Sequence, residues 1–248
     1  MTAPRLPAAI AACLFDLDGV LTDTAQVHAA AWKETFDSFL RGRAEAGGGA
    51  FVPFDPVRDY DEYVDGRQRF DGVRAFLASR GVELPEGTHD DPPGVATVGG
   101  LANRKNELLL TLLREGGVTP FPGSVAFVEA AREAGLRRAV VSASANCREV
   151  LEAARIAHLF EARVDGVVAE RKRLRGKPAP DTYLEAARRL AVPPAEGAVF
   201  EDALAGVEAG RAGGFGLVVG VDRAGQADAL RSRGADVVVR DLSELLGG

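Results

Sequence analysis

The chain has only two cysteines, Cys13 and Cys147, in 248 residues. That is too few for a disulfide framework or a cysteine zinc cluster, so both read as reduced, structural thiols. Long apolar runs are also missing: none approaches the roughly 18 residues of a membrane span. Met1 to Leu14 carries only Arg5 ahead of a short apolar segment that ends in acid. A cytoplasmic protein with no membrane partner is therefore expected. Nor is there an excess of positive charge: 30 basic residues stand against 36 acidic ones, net −6. A broad electrostatic grip on nucleic acid is excluded, although a local basic pocket is not. The length suffices to bury a sizeable core in one large domain or two.

What is present is organised around the stretch Cys13 to Thr24, an apolar run that stops on Asp16 and Asp18. Ala8 to Phe15 carries no charge and is long enough for a buried strand of a parallel sheet, whose strands read as near-continuous apolar runs. Asp16 and Asp18 then fall at its carboxyl end, where open α/β sheets bind ligands, and side chains two apart on extended backbone point the same way. Two close carboxylates there suit a hard cation such as Mg²⁺. A hairpin turn at Asp18-Gly19, or a degraded calcium loop of Asp16, Asp18 and Asp23, accounts for the same residues.

In the following segment, Val27, Ala31, Phe36 and Leu40 predict a helix over Ala25 to Leu40, with Thr24 as its cap. Arg41 to Asp55, with Gly47-Gly48-Gly49 and Pro53, reads as a connector. Helical spacing resumes over Tyr60 to Gly81 and over Leu101 to Arg114, separated by a Gly-, Pro- and Asp-rich loop from Pro85 to Gly100. With no strand signal here, residues 25–116 are expected to form an inserted helical domain, and 1–24 with 117–248 the core. From Phe121 onward helices and strands alternate. Strands are expected at Arg138 to Val141, Val164 to Ala169, Ala198 to Phe200, Gly216 to Val221 and Asp236 to Val239. Helices are expected at Ser124 to Ala134, Asn146 to Arg155, Pro180 to Leu190 and Ala203 to Ala212. The fold class is therefore α/β, a doubly wound parallel sheet with a helical insertion.

Polar residues recur at the predicted strand ends: Asp16, Asp18, Ser142, Glu201 and Asp202 all fall on the ligand edge. Each alone is explained by a cap or a turn, but their coincidence points to a shared site. Lys177, between Gly176 and Pro178 with Pro180 beyond, lies in a stiffened loop. A cation held there balances carboxylates and grips a phosphate.

These motifs resemble the haloacid dehalogenase superfamily, and within it the β-phosphoglucomutase and sugar-phosphatase branch, over nearly the whole length. The matching stretches are Asp16-Leu17-Asp18-Gly19-Val20, Ser142-Ala143-Ser144 with Asn146, Lys177-Pro178-Ala179-Pro180-Asp181, and Glu201-Asp202 with Ala205-Gly206. The resemblance implies that Asp16 is the nucleophile that becomes an aspartyl phosphate and that Asp18 is the general acid and base. It also implies Mg²⁺ on Asp16, Glu201, Asp202 and the Asp18 carbonyl, with Ser142, Ala143 and Lys177 on the phosphoryl oxygens. The insertion resembles a cap that closes over a sugar phosphate. It would contribute His28, Arg69 from Gly66-Arg67-Gln68-Arg69, and Lys105 from Arg104-Lys105-Asn106, while Ser144 and Asn146 add further substrate contacts. A monomer acting on a sugar phosphate is expected.

Two positions depart from that pattern: Asp65 and Ala145 stand where the mutases carry lysines. Mutase chemistry, β-glucose 1-phosphate to glucose 6-phosphate, is thus set beside a phosphatase sharing the first half-reaction. A receiver-type signalling module is about half this length, lacks an inserted cap and has adjacent acids. A non-catalytic binding protein would be expected to have lost Asp16 or Asp18.

Overall fold

The computed structural model describes residues 3–247 and divides them into two compact units, one of residues 3–23 with 118–247 and the other of Thr24–Gly117. The first unit is built on a six-stranded, wholly parallel sheet with strand order β3-β2-β1-β4-β5-β6. Its strands are β1 (Ala12–Phe15), β2 (Arg137–Val141), β3 (Ala162–Val164), β4 (Gly197–Glu201), β5 (Leu217–Val221) and β6 (Val237–Val239). Strand β1 lies inside the sheet between β2 and β4, with Phe15 level with Val140 and Phe200. Its four residues are all buried, and with both faces of the sheet covered the strand is apolar throughout.

Alternation along β1 divides the core between the two faces of the sheet. Leu14 packs with Val141, Tyr183, Leu190 and Val199. Phe15, on the other face, stacks on Phe200 at 4.6 Å and meets Phe127 edge-on at 6.2 Å. Of these partners, Phe127 comes from α4 (Pro122–Glu133) and Tyr183 and Leu190 from α7 (Asp181–Leu190), while Val141, Val199 and Phe200 belong to the neighbouring strands. In the connections, α5 (Cys147–Ala153) and α6 (Gly166–Lys172) flank β3, while α8 (Leu204–Ala212) and α9 (Ala227–Arg233) flank β5.

The second unit holds α1 (Ala25–Glu45), a single π-helical turn at Tyr60–Val64, α2 (Arg69–Ser79) and α3 (Val98–Gly116). Trp32, Phe36, Phe54, Phe76 and Leu101 form its core, with Phe36 and Phe76 only 4.0 Å apart at their ring centroids. The connector after α1 is tied down where it re-enters this core. Asp37 accepts the Phe54 N–H at 2.7 Å, and Lys33 bridges Asp37 and the Phe54 carbonyl.

Several expected elements differ. Strand β1 starts at Ala12 rather than Ala8, because the Pro7 turn precedes it and Ile10 donates back to the Pro7 carbonyl. The stretch Val164 to Ala169 is mostly helix: Asp165 accepts the Val168 N–H at 2.9 Å and so caps α6, leaving only Val164 in the strand. Helix α1 runs five residues beyond Leu40 before the glycine run ends it. Thr24 occupies its N-cap position without making a side-chain capping bond. The span Tyr60 to Gly81 is broken at Asp65 to Gln68, with Gly66 at φ 67°, into the π turn and α2. Helix α3 begins at Val98, three residues before the expected start, capped by Thr97.

Candidate active site

Four loops at the carboxyl ends of β1, β2, β4 and the segment before α7 bring their polar residues together. Asp16 follows β1 directly, and its backbone N–H donates to the Phe200 carbonyl at 2.9 Å, continuing the β1–β4 ladder by one step. Asp16 is only 6 % exposed, and its carboxylate accepts from the Lys177 ammonium at 2.5 Å. The same ammonium donates to Glu201 Oε1 and, at 3.2 Å, to the Val141 carbonyl, and it lies 5.1 Å over the Tyr183 ring. Tyr183 donates its hydroxyl to Glu201 Oε1 at 2.8 Å, and the Ala203 N–H reaches Glu201 Oε2 at 3.2 Å. Glu201 is thereby fully enclosed and held from three directions.

Two glycines make room for this packing. A Cβ on Gly206 would lie 1.8 Å from Glu201 Oε1, so the residue of α8 facing that carboxylate has to be glycine. Gly19 has φ +83°, and a Cβ there would lie 1.7 Å from Asp202 Oδ2. The turn after Asp18 is therefore glycine both for its backbone conformation and for its close approach to Asp202.

Electrostatics follow from burial. Desolvation pushes the Glu201 carboxyl up to about 7, against the opposing pull of Lys177. Asp16 is raised in the same way, with Lys177 opposing and the Asp18 charge adding to the rise. Burial pulls the Lys177 ammonium down, but Asp16 and Glu201 together outweigh it and hold the group above its ordinary value. One carboxylate oxygen from each of Asp16, Glu201 and Asp202 can be chosen so that all lie within 4.8 Å of one another, and all three residues are buried. This oxygen-only donor set, with three carboxylates against one ammonium, fits a hard divalent cation. The Asp18 carboxylate is not part of that set, and Asp18 is half-buried.

The loop after β2 is folded by its own hydroxyls. Ser142 Oγ accepts the Ser144 N–H at 3.0 Å, and Ser144 Oγ accepts the Asn146 N–H at 3.1 Å. Ser142 is buried, while Ala143 to Asn146 are partly exposed at the start of α5. Ser142 keeps its own O–H to donate. Cys147, next in the chain, is buried, and desolvation raises its thiol well above the ordinary value, which makes it a poor nucleophile.

Within the second unit, the structure gathers the remaining sequence-predicted residues from three helices. Lys105 of α3 is buried, its ammonium 3.1 Å from His28 Nδ1 of α1 and 5.0 Å over the Trp32 ring. Burial, then the adjacent ammonium, hold the His28 imidazole well below its usual value, so the ring is neutral and accepts from Lys105. Arg69, at the start of α2, donates to Asn106 Oδ1 at 3.4 Å. Arg104 turns outward to pair with Glu107, which leaves Lys105 as the inward cation of that segment.

Sequence reasoning missed Tyr183, Arg223 and Gln226. Tyr183 was legible in principle as the inward residue of α7, one turn after the Lys177 loop. Arg223 and Gln226 follow β5, where the strand-end acid Asp222 turns back onto the N–H groups of its own loop. Gln226 donates to the Asp202 carbonyl at 3.0 Å and Arg223 to the Gly19 carbonyl at 3.1 Å.

A doubly wound sheet with a buried carboxylate beside a lysine, a cation-ready acid cluster and a serine loop defines a phosphoryl-transfer type of α/β enzyme. The chain belongs to the haloacid dehalogenase-like hydrolase family, whose pattern matches residues 10–214. It is 56 % identical over 244 residues to the beta-phosphoglucomutase of Mycobacterium tuberculosis, covering 97 % of this chain and 93 % of that protein. The beta-phosphoglucomutase of Bacillus subtilis is 32 % identical over 237 residues, 94 % of this chain and 91 % of that one. Among solved structures, the beta-phosphoglucomutase of Clostridium difficile superposes with a TM-score of 0.72 at 25 % identity, covering 95 % and 93 % of the two chains. No helix among the described residues is long and apolar enough to cross a membrane.

Proposed function

We propose that the protein is a Mg²⁺-dependent phosphomutase that interconverts β-glucose 1-phosphate and glucose 6-phosphate through the 1,6-bisphosphate. The observation that carries this reading is the 56 % identity, over 97 % of the chain, to a protein named beta-phosphoglucomutase. The chemistry of the acid cluster agrees with it. An Asp16 oxygen bonds to phosphorus while the bond from phosphorus to the sugar oxygen breaks, and Asp18 gives that oxygen its proton. In the other half, a hydroxyl of the sugar monophosphate attacks the aspartyl phosphate, its proton passes to Asp18, and the bond between Asp16 and phosphorus breaks, which gives the 1,6-bisphosphate. Ser142, the Ala143 N–H and Lys177 hold the equatorial oxygens as charge spreads over them. Asp16, Glu201, Asp202 and the Asp18 carbonyl would hold Mg²⁺, which offsets repulsion between two anions that must approach. Arg69 takes the second phosphate of the substrate. His28, Lys105, Ser144 and Asn146 contact the rest of it. On this reading, residues 25–116 are the cap and the remainder is the phosphoryl-transfer core.

A sugar-phosphate phosphatase is the second reading. It is favoured by Asp65 and Ala145, neutral or acidic positions where the mutases resembled here carry lysines, since a weaker hold on the distal phosphate lets water compete. The deciding experiment follows glucose 6-phosphate and free phosphate together from β-glucose 1-phosphate with Mg²⁺ and a trace of bisphosphate. Isomer without matching phosphate supports the mutase; phosphate without isomer moves the protein to the phosphatases.

A further inference from the structure

The loop joining β5 to α9, Asp222 to Gln226, contributes nothing to the acid cluster itself, yet it reaches both acid-bearing turns. The Gln226 amide donates to the Asp202 carbonyl at 3.0 Å. The Arg223 Nε donates to the Gly19 carbonyl at 3.1 Å, one residue after Asp18. We propose that Arg223 and Gln226 are positioning residues, a strut that fixes the Asp18-Gly19 turn and the Asp202 turn relative to one another and so sets the spacing of the cation site. The inference rests on the reading of Asp18 and Asp202 given above.

The strut is itself rigid. Asp222 Oδ1 accepts the N–H groups of Gly225 at 2.6 Å and Gln226 at 2.7 Å, locking the loop into one conformation. The Asp222 N–H continues the sheet by donating to the Val239 carbonyl at 2.7 Å. Arg223 lies with its guanidinium carbon 3.8 Å from the Phe121 ring centroid, and its Nη1 donates to the Arg240 carbonyl at 2.8 Å and to Asp241 at 3.1 Å. Phe121 in turn donates its N–H to the Leu21 carbonyl at 2.9 Å, at the far side of the same turn. The Gly19 peptide is thus held at both ends: its N–H donates to the Thr22 carbonyl at 2.8 Å, and its carbonyl accepts from Arg223.

Both contacts end on backbone carbonyls, so they can move an acid without altering its chemistry. Groups that orient metal ligands typically affect affinity by about 10- to 100-fold. Because Gly19 approaches Asp202 so closely, loosening either turn changes the distance between the Asp18 carbonyl and the Asp202 carboxylate.

The test is a calorimetric titration of the full chain with Mg²⁺ alone, for the wild type, Gln226→Met and Arg223→Met, with thermal unfolding recorded in parallel. Each variant is expected to bind Mg²⁺ about tenfold more weakly or worse. Arg231→Met, which removes only an exposed pair with Asp228 on the helix just beyond, is expected to match the wild type. For sugar-phosphate turnover, kcat falls in both strut variants at unchanged KM, and Arg223→Lys, which keeps a donor for Gly19, recovers part of the loss. If a methionine variant does not fold, Gln226→Ala and Arg223→Ala replace it in the titration. Wild-type Mg²⁺ affinity in a folded methionine or alanine variant of Gln226 or Arg223 overturns the proposal, as does an equal loss in Arg231→Met. The titration uses no sugar phosphate, so a wild type that binds Mg²⁺ but does not isomerise glucose 1-phosphate fails the mutase reading and not this one.

Discussion

Gly206→Ala sets two opposed effects against each other, and their magnitudes decide the outcome. Gly206 lies in the first turn of α8, where alanine is the better helix former by about 1 kcal/mol. Against that gain, the new methyl would sit 1.8 Å from Glu201 Oε1 and 1.9 Å from its Cδ, so the carboxylate has to leave its place. Glu201 cannot leave cheaply: it is fully buried and accepts from Lys177, Tyr183 and the Ala203 N–H. Hydrogen bonds to a charged group are worth about 1.5–3 kcal/mol each, so losing two of the three costs roughly 3–6 kcal/mol. After the helix gain, the net destabilisation is roughly 2–5 kcal/mol. Urea unfolding followed by circular dichroism at pH 8 reads this directly. With a slope of about 2 kcal/mol per molar, the midpoint falls by roughly 1–2.5 M. Mg²⁺ binding weakens in the same variant, because Glu201 is one of the three clustered carboxylates. An unchanged or raised midpoint would refute the claim that this glycine exists to admit Glu201.

The remaining predictions concern charge and chemistry. Asp18→Asn removes the general acid and lowers kcat by about 10²–10⁴-fold; calorimetry should find Mg²⁺ affinity within a few-fold of the wild type, and a tenfold loss would instead make its carboxylate a ligand. Glu201 is raised from 4.5 to about 7 in the folded chain, so the fold holds a proton that the unfolded chain releases. The metal-free protein therefore loses stability as pH rises from 4.5 through about 7, and thermal melts of Glu201→Gln lose that part of the slope. Glu185 behaves oppositely: Arg188, Lys172 and Arg189 hold it well below its ordinary 4.5 despite burial. Its contribution is complete above pH 4.5 and declines below it, so Glu185→Gln lowers the melting temperature at pH 7 but much less in strong acid. Arg69→Ala, removing a charge-assisted contact, weakens sugar-bisphosphate binding by about 10- to 100-fold and raises the ratio of free phosphate to isomer, both readable in the two-product assay.

Much of the core was legible because buried parallel strands must be apolar and their ends must be polar. The run into Asp16 and the pair Glu201-Asp202 both marked ligand-edge strand ends, and the structure places β1 and β4 side by side. The stretch Val164 to Ala169 misled for a physical reason: a short apolar run fits a strand or a helix equally, and the tie is broken by Asp165 capping forward. Lys177 was legible as a cation near the acids. Its burial between Asp16 and Glu201 was not, since a lysine in a Gly-Pro loop carries no sign of which way it points. Arg223 and Gln226 were invisible because they act on carbonyls, which every residue has. In the helical unit, sequence periodicity marked three helices, yet the approach of Lys105 to His28 depends on how α3 packs on α1.

The most direct test of the central claim is a pulse and chase of the phosphoryl group. The protein is mixed with Mg²⁺ and glucose 1,6-bisphosphate labelled with ³²P, quenched, and its peptides mapped; a second sample is chased with unlabelled β-glucose 1-phosphate before the quench. The account predicts label on the peptide carrying Asp16, none in Asp16→Asn, and passage of the label to sugar bisphosphate during the chase. Label appearing as free phosphate, or on a peptide without Asp16, would contradict it.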